Sequence, residues 1–351
     1  MKILAIDLAK TRSLFCWHDV VKGSHRMKTI ASTPQAFHDA LLQEKVDRVI
    51  IEVCDMAGWI KDLCDTLQIP IQIANGNSQG WRWRNVKKKT DKDDVLKLIS
   101  LSVTNQLPTV TVPDRPIRQW KSLILYRQKL IERRTRIKNK IHALLVSEGK
   151  ARSGGKKVWS EESLAELCRL AKPLEQCAID QLWQGQLHME LAGLDDLNHA
   201  VEQLDHKLNA LGEKDARVMQ LQSIPGVGPR LSELVVAVID DPRRFKNVRE
   251  VGSYAGLVPR RYQSGTMDRN GRISKAGCSK LRKLLLEIAW GMLQHNAHGR
   301  SVFARISKGQ KTRRKQAAVA LARRILGWCW AMLRDGTDWR DPGTSPTPAM
   351  T

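Results

Sequence analysis

The chain has 351 residues, more than one ordinary domain contains, so two or three structural units are expected. Apolar residues make up 42% of the sequence, which is enough to build hydrophobic cores and excludes a disordered chain. Lys and Arg outnumber Asp and Glu by 59 to 36, giving a formal charge of +23, and a charge this large makes a polyanion the expected partner.

The first hundred residues alternate between strand-like and helix-like patterns. Five short strands are predicted, at Lys2–Leu8, Ser13–Val20, His25–Ile30, Arg48–Val53 and Ile69–Ala74. Thr33 followed by Pro34 is typical of a helix start, and this helix is expected to reach about Leu42. A second helix is expected over Gly58–Leu67. This order of elements predicts an α/β layer with mixed strand directions.

From about Arg115 to Val146 the pattern becomes wholly helical. Apolar residues recur there every seven positions, at Leu123, Leu130, Ile137 and Leu144. After a basic linker at Gly149–Lys157, a second stretch carries leucines near heptad spacing from Leu187 to Leu211. Two such helices can form an antiparallel hairpin within the chain or pair across a dimer, and the sequence leaves both arrangements open.

A third unit begins near Met219, is expected to be helical with short loops, and ends around Leu333. The tail from Asp335 onward, rich in Pro, Thr and Gly, is expected to be disordered. The seven cysteines include no CxxC pair, which favours free thiols in a reducing cytosol over a zinc site or a disulfide framework. No signal peptide and no bilayer-spanning run is found, so a soluble, cytoplasmic protein with no membrane partner is expected.

Four carboxylates form the first candidate site. Asp7 and Glu52 each follow an apolar strand, and Asp91 and Asp94 lie at positions i and i+3 of a predicted helix, hence on one face of it. Carboxylates that converge repel one another unless a cation such as Mg²⁺ or Mn²⁺ joins them. The four acids therefore predict a metal site that acts on a phosphodiester. Asp55 and Asp93 are neighbouring alternatives, and Asp93 points away from the Asp91 and Asp94 face.

Two segments have the composition of nucleic-acid contacts. Aromatic and basic residues that suit base stacking and phosphate binding interleave just before the acidic helix, at Trp81, Arg82, Trp83, Arg84, Lys87, Lys88 and Lys89. Further along, Gly226 and Gly228 lie in a Pro-Gly-Val-Gly-Pro turn before an apolar helix. This turn resembles a helix-hairpin-helix motif, whose glycines let backbone amides approach a phosphate.

A serine in the third unit is a candidate nucleophile. Ser264 is predicted to lie in a loop among cationic residues, which are Arg260, Arg261, Arg269, Arg272 and Lys275. A serine can attack phosphorus when such cations or a metal offset the developing charge. Tyr262 is a rival nucleophile, whereas Ser274 and Ser279 are better explained as turn or cap residues.

Taken together, these residues resemble the transposases of insertion-sequence family 110, the DEDD type guided by a bridge RNA. The resemblance covers nearly the whole chain. Its motifs here are Ile6-Asp7-Leu8-Ala9-Lys10, Thr90-Asp91-Lys92-Asp93-Asp94, and the stretch from Gly256-Leu257-Val258-Pro259 through Ser264-Gly265 to Ile273-Ser274-Lys275-Ala276-Gly277. The match is weakest after Glu52, where the family usually has a Thr-Gly-aromatic run and this chain has Val53-Cys54-Asp55.

The resemblance implies a fold of three parts. It implies a RuvC-like (RNase H-like) α/β domain over residues 1–110 and a helical coiled-coil region over 111–215. A helical serine domain with a helix-hairpin-helix-like turn would follow over 216–335, and then a disordered tail over 336–351.

The resemblance also implies an activity. Asp7, Glu52, Asp91 and Asp94 would bind Mg²⁺ or Mn²⁺, and Ser264 would form a serine-linked DNA intermediate. Donor and target DNA would be chosen by a structured guide RNA. The active form would be a dimer or tetramer in which the serine of one subunit completes the acidic site of another.

Three other functions remain open on the sequence. A RuvC-type nuclease or Holliday junction resolvase would use water as the nucleophile and leave no protein–DNA adduct. A site-specific DNA invertase of the Piv type cannot be separated from a transposase on the sequence alone. A basic binding protein without catalysis would use the acids only as helix caps and salt-bridge partners.

Overall fold

The computed structural model describes residues 1–76, 78, 90–151 and 158–340 of the chain. The chain separates into two units, Met1–Arg118 and Gln119–Thr351. Within the described ranges, no helix is both long and apolar enough to cross a membrane.

The first unit is built on a five-stranded sheet. Its strands are β1 (Lys2–Asp7), β2 (Arg12–Asp19), β3 (Ser24–Ala31), β4 (Arg48–Glu52) and β5 (Ile71–Ala74). The order across the sheet is β3-β2-β1-β4-β5. Strand β2 is antiparallel to both β1 and β3, whereas β1, β4 and β5 run parallel to one another. All five strands were predicted within two residues of these bounds, and the mixed α/β layer is compatible with a RuvC-like domain.

Helices cover both faces of this sheet, and successive side chains of the central strand β1 are buried on alternate faces. Leu4 and Ile6 of β1 lie in the core shared with α1 (Pro34–Gln43) and α2 (Ala57–Thr66). Ile3 and Ala5 lie in the core shared with the third helix, α3 (Asp91–Val103). Strands buried on both faces are typical of parallel sheet regions. The residue parity along β1 therefore decides which helix each side chain meets.

The caps of these helices follow local sequence rules. Thr33 caps α1 by accepting a hydrogen bond from the Ala36 backbone N–H, with Pro34 in the first turn, as predicted. Thr90 caps α3, and Asp93 completes a capping box by accepting a hydrogen bond from the Thr90 backbone N–H at 2.9 Å. Both helix starts are thus fixed by residues next to them in the chain.

The second unit begins with a long helical hairpin. Helices α4 (Arg115–Ser147) and α6 (Leu182–Gly212) bury apolar residues against each other, and α5 (Glu161–Leu170) packs at one end. Cross-helix ion pairs show the antiparallel direction, since Arg127 meets Asp205 whereas Lys140 meets Glu190. The heptad pattern predicted a hairpin within the chain or a seam between chains, and the structure has the pairing within the chain.

The remaining helices gather around the last of them. They are α7 (Ala216–Gln222), α8 (Pro229–Ile239), α9 (Val248–Tyr254), α10 (Ser279–His295), α11 (Ala297–Ser307) and α12 (Arg314–Asp335). Helix α12 contacts α7, α9, α10 and α11. Its buried residues are mostly small or aliphatic, such as Ala318, Ala322 and Ile325, which lets several helices approach it closely.

The expectation that the third unit consists of helices with short loops is wrong in one segment. An antiparallel hairpin of β6 (Pro259–Ser264) and β7 (Met267–Ile273) lies between α9 and α10. Every residue of β6 is exposed, as are all residues of β7 except Ile273. The pair buries no apolar face, so its sequence lacks the alternation of apolar and polar residues that identifies a strand.

The disorder expected from residue 336 onward is also wrong for the first part of the tail. Gln220 of α7 donates a hydrogen bond to the Thr337 carbonyl at 2.7 Å, and the Trp339 backbone N–H donates to Ser223 Oγ at 3.0 Å. The Trp339 ring lies 5.0 Å from that of Trp328. These contacts fasten residues 337–339 to the helices, because Trp339 supplies apolar surface that the Pro and Thr content of the tail does not suggest. Residues 341–351 lie outside the described ranges.

Candidate active site and nucleic-acid surfaces

Two of the predicted acids lie side by side at the carboxyl ends of two central strands. Strands β1 and β4 are parallel neighbours paired from Ile3 and Arg48 to Ile6 and Ile51, so the next residues of each strand are Asp7 and Glu52. Neighbouring strands are about 4.8 Å apart. By residue parity, Asp7 follows Ala5 and Glu52 follows Ile50, and both of those side chains face α3. The two carboxylates therefore project on the α3 side of the sheet.

The facing helix carries the other two acids in its first turn. Asp94 is buried, with 8% of its surface exposed, although it is charged. It precedes the core residues Val95 and Leu98 on the side of α3 that packs on the sheet. Asp91 lies one turn earlier and is exposed. Burial of a carboxylate is costly unless it is paired, which distinguishes Asp94 from a solvated surface acid.

Asp93 has a different role from its neighbours. Its carboxylate accepts hydrogen bonds from the Thr90 hydroxyl at 2.7 Å and from the Thr90 backbone N–H, and these bonds lower the pKa of the Asp93 carboxyl. This carboxylate is occupied by the helix cap. Asp55, the other neighbouring alternative, is exposed beyond the end of β4.

A glycine supports the position of Glu52 and was not identified from the sequence. A Cβ atom placed on Gly76, just after β5, would lie 1.8 Å from Oε1 of Glu52. Real Cβ contacts are essentially never so short, so the Glu52 carboxylate occupies the space that any other residue at position 76 would fill. The only sequence signal is a glycine next to the turn residues Asn75 and Asn77.

The acids fit a divalent cation in the chemistry of their donor atoms. All four ligands would be carboxylate oxygens, which hard cations such as Mg²⁺ prefer. Among the residues that the structure describes, no three His, Cys, Asp or Glu side chains are grouped closely enough to hold a metal ion. The fold thus brings Asp7 and Glu52 to one sheet edge and places Asp91 and Asp94 on the helix that covers the same face, without closing a coordination shell.

The basic and aromatic segment predicted to contact nucleic acid, Trp81 to Lys89, lies outside the described residues. The glycine turn is described, between α7 and α8. Gly226 has a φ of +88°, a left-handed conformation that favours glycine, and Gly228 is the N-cap of α8 with Pro229 in its first turn. The turn therefore joins two helices through a backbone that glycine makes possible.

Ser264 is the last residue of β6 and stands at the tip of the hairpin, not in an irregular loop. It pairs with Met267 across a two-residue turn in which Gly265 has a φ of +54°. Among the described residues its hydroxyl makes no hydrogen bond. The rival Tyr262 is packed across the hairpin, because its ring lies against Gly271 and beneath the Arg269 guanidinium, 5.5 Å from the ring centroid.

The foot of the hairpin explains the long glycine-containing motif. A Cβ atom on Gly256 would lie 2.3 Å from the Ala276 carbonyl oxygen, and one on Gly277 would lie 2.1 Å from the Tyr254 carbonyl oxygen. The two ends of the motif therefore touch backbone to backbone. Arg282 of α10, missed in the sequence, donates hydrogen bonds to the carbonyls of Ala255, Ala276 and Gly277 and clamps both ends.

The cations near Ser264 are not equivalent. Arg261 forms a two-pronged ion pair with Asp268 on the opposite strand, which raises the pKa of Arg261 and lowers that of Asp268. Arg260 donates to the Ser274 carbonyl at 3.3 Å. Arg272 and Lys275 are exposed on the same hairpin and its foot, and neither pairs with a carboxylate among the described residues. Arg261 is therefore the least available of the four for a phosphate.

Two family profiles match separate parts of the chain. Residues 4–148 match the DEDD transposase family of the IS110 type, and residues 218–304 match the family described as Transposase IS116/IS110/IS902. The first match contains all four acids, and the second contains the glycine turn and the hairpin. The DEDD profile indicates dependence on a divalent metal ion.

Individual proteins give the same result. The chain is 28% identical to the transposase for insertion sequence element IS1111A of Coxiella burnetii, over 95% of this chain and 90% of that protein. It is 30% identical to a putative transposase of Sinorhizobium fredii, over 72% of this chain and 65% of that protein. A pilin gene-inverting protein of Moraxella lacunata is 30% identical over 40% of this chain and 46% of its own length. The chain is thus an enzyme of DNA transposition and recombination and belongs to the IS110 family of insertion-sequence transposases.

Proposed function

We propose that this enzyme cuts and exchanges DNA strands with a metal-bound acidic site, formed by Asp7, Glu52, Asp91 and Asp94, and with Ser264 as the nucleophile. The observation that carries the acidic site is the placement of Asp7 and Glu52 on adjacent parallel strands, on the sheet face covered by the helix that bears Asp91 and Asp94. Asp94 on the same helix is buried, and a carboxylate is buried favourably only where a partner offsets its charge.

The acids would hold Mg²⁺ or Mn²⁺, and such an ion supplies charge stabilisation to a phosphodiester under attack. Gly76 would keep the Glu52 carboxylate at the sheet edge, since its missing side chain leaves the space that the carboxylate uses. Asp93 would hold α3 in register through its bonds to Thr90, so that Asp91 and Asp94 remain on the face toward the sheet.

Ser264 would attack the phosphorus of the scissile phosphodiester. The Oγ–P bond forms while the bond from phosphorus to a deoxyribose oxygen breaks, and the serine proton leaves so that the departing oxygen ends as a hydroxyl. Exposure of the hairpin tip allows a DNA backbone to reach Ser264, and Arg272 and Lys275 can offset the charge that develops on the phosphate. Because the Ser264 hydroxyl makes no hydrogen bond among the described residues, we propose that the acidic site of another subunit completes the reaction in a dimer or tetramer.

A structured RNA would choose the donor and target DNA. This part rests on the family resemblance and on the charge of +23, which a second polyanion would help to neutralise. A structured guide predicts that recombination of the element's junction fails when the RNA is omitted.

The nucleophile is tested by a covalent adduct. Purified protein is incubated with Mg²⁺, candidate guide RNA and labelled junction DNA, then separated on a denaturing gel. We expect a labelled band at the size of the protein that is lost in Ser264→Ala and kept in Tyr262→Phe. DNA binding should persist in Ser264→Ala, because the substitution removes one exposed hydroxyl.

Either of two results would contradict the serine mechanism. Normal strand joining by Ser264→Ala would remove its role as nucleophile. Metal-dependent cleavage without any adduct would favour a RuvC-type nuclease in which water attacks.

Site-specific inversion is a second candidate function, favoured by the similarity to the pilin gene-inverting protein of Moraxella lacunata. The two functions differ in their substrates. An invertase would recombine two inverted sites on one plasmid and leave all other DNA unchanged, whereas a transposase would join an excised element to a target that lacks it.

A further inference from the structure

A groove lined by arginines lies in the second unit. It has a volume of about 790 Å³ and lies between α9, α11 and α12. Four arginines line it, which are Arg249, Arg305, Arg323 and Arg324. Its other walls are apolar, and no carboxylate is among the lining residues that the structure describes. We call it the arginine groove.

The four guanidinium groups differ from several arginines of the second unit that are held in ion pairs. Arg127, Arg217, Arg261 and Arg334 each form an ion pair with an aspartate. In the described part of the chain, none of the four groove arginines has a carboxylate or a carbonyl partner for its side chain, and all four are exposed. Four cations on one groove repel one another, and an anion with several charges along its length would relieve this repulsion.

The groove is built by close helix packing. A Cβ atom on Gly252 of α9 would lie 3.2 Å from Cδ of Arg323, and one on Gly327 of α12 would lie 2.7 Å from Cγ2 of Val248. The absence of side chains at these two positions lets α9 and α12 touch and lets the stem of Arg323 lie across α9. The position of the Arg323 guanidinium is thus set by the packing of its stem.

One aromatic ring is available beside the cations. Trp328 lines the groove and is half-buried, whereas Trp330 is buried and donates its indole N–H to the Pro242 carbonyl at 2.9 Å. The Trp328 ring also contacts His298 and Trp339, with ring centroids 5.4 and 5.0 Å away, which helps to fix its position. An aromatic ring next to guanidinium groups is the combination that binds single-stranded nucleic acid, since an unpaired base can stack on the ring.

We propose that the arginine groove binds the backbone of a single DNA strand, with its phosphates on the four arginines and a base against Trp328. A single strand fits better than a duplex, because duplex bases are stacked on one another and offer no free face to Trp328. DNA is the expected occupant because the enzyme acts on DNA and strand exchange separates its strands. The proposal rests on this DNA-directed activity and not on the serine mechanism.

The test measures binding of full-length protein to a fluorescein-labelled single-stranded DNA by anisotropy, in EDTA and over a range of salt concentrations. We expect the double variant Arg305→Ala and Arg324→Ala to bind about tenfold more weakly or worse. Its slope of log affinity against log salt should be shallower by about 1.4, since each lost phosphate contact on a single strand accounts for about 0.7. Trp328→Ala should lose about fivefold or more while the slope stays unchanged.

The matched control removes two exposed charges at the start of α12, outside the groove, in Arg313→Ala with Lys315→Ala. It should bind nearly as the unaltered protein does. Equal losses in the control and the groove variant would overturn the proposal, because the effect would then come from total charge. A groove variant that loses binding of RNA of the same sequence but not of DNA would overturn it as well.

Thermal melting of each variant shows whether it is folded, and Arg324→Gln replaces the double variant if that one melts early. The outcomes are separable from those of the proposed function. If the groove variants bind DNA weakly as expected but the unaltered protein forms no covalent adduct, the serine mechanism alone is contradicted. A normal adduct with no effect of the groove variants contradicts the groove alone.

Discussion

Asp93 and Asp94 are neighbours, yet the fold gives their carboxylates different surroundings. Asp93 faces back toward Thr90 and holds the start of α3 through two hydrogen bonds. Asp94 is buried at the side of α3 that meets the sheet. The carboxylate of Asp93 thus caps the helix, whereas the carboxylate of Asp94 lies on the side of the helix that faces the sheet.

Substitution of each aspartate should separate these roles. Asp94→Asn is expected to lower metal-dependent DNA cleavage by about 100-fold or more, since even residues that only support metal ligands cost 10–100-fold. Asp93→Ala is expected to lower the Tm measurably, because it breaks the capping box, while cleavage persists. Cleavage rates and thermal melts of both variants test this. Full cleavage by Asp94→Asn would exclude Asp94 as a ligand.

A useful companion to the pair is Thr90→Ala. It removes the other half of the capping box and should cost about 1 kcal/mol of unfolding free energy. If Thr90→Ala and Asp93→Ala both lower the Tm and both retain cleavage, a loss of activity in Asp94→Asn cannot be explained by a frayed helix.

At the scale of elements, the β6–β7 hairpin is anchored at its foot. Gly256 has a φ of +70° and lies directly against the Ala276 backbone. The Ala276 backbone occupies the space that a side chain at position 256 would need. The Ser274 backbone N–H donates to the Val258 carbonyl at 2.8 Å, and Lys275 to the Gly256 carbonyl at 3.1 Å. The foot is thus a backbone contact that tolerates no added atom.

Gly256→Ala should therefore displace the hairpin. Its Cβ would meet backbone atoms that cannot rotate away, and its φ would be strained, so we expect a loss of about 1–3 kcal/mol of unfolding free energy and of Ser264-dependent DNA joining. Chemical denaturation and the adduct assay measure the two effects. Gly291→Ala is the matched control, since a Cβ there meets nothing within 4 Å. An unchanged adduct yield in Gly256→Ala would contradict this role of the foot.

The elements differ in how well the sequence predicts them, for physical reasons. The strands β1 and β4 and the helix α4 each bury a continuous apolar pattern, so periodicity alone locates them. The hairpin β6–β7 buries almost nothing, and what forms it is a two-residue glycine turn and the Arg282 clamp from another helix. Gly76 and the arginine groove were missed for the same reason, because each depends on residues brought together by the fold.

The candidate site shows the same division. The order of Asp7, Glu52, Asp91 and Asp94 along the chain predicts that strand ends and a helix start carry the acids, and the structure has them on those elements. The sequence does not give the strand order that makes β1 and β4 neighbours. Nor does it give the capping box that assigns Asp93 to the helix start.

At the scale of the whole molecule, a partly buried charge network connects three helices of the second unit. Asp205 of α6 meets both Arg127 of α4 and Arg230 of α8, and Arg230 donates to Glu233 at 2.8 Å. Glu233 has no exposed surface, and its Oε1 lacks a hydrogen-bond partner among the described residues. Burial raises the pKa of Glu233 to about 7, against the opposing effect of Arg230.

This network predicts a dependence of stability on pH. A carboxyl whose pKa rises from 4.5 to about 7 on folding binds its proton more tightly in the folded state. The stabilisation of the folded state by this tighter proton binding is complete below pH 4.5 and is lost as the pH rises to 7. We therefore expect the unfolding free energy of the second unit to fall over this range by up to about 3 kcal/mol.

Glu233→Gln should remove this dependence and stabilise the protein above pH 7, because the amide resembles the protonated acid. Denaturant unfolding at pH 5 and pH 8 measures the effect, and Glu213→Gln, at an exposed position on the same unit, is the control. A fall in stability between these two pH values that is the same in Glu233→Gln would place its origin in other groups.

The exposure of the β6–β7 hairpin has a consequence for how such enzymes diverge. A segment that bears the proposed nucleophile but contributes almost no buried surface places few demands on the folding of the rest of the chain. Substitutions along its two strands can accumulate without loss of the core, provided that the glycines at its foot and Arg282 remain. If the hairpin contacts DNA as proposed, related enzymes can therefore acquire new DNA preferences there while inheriting the same scaffold.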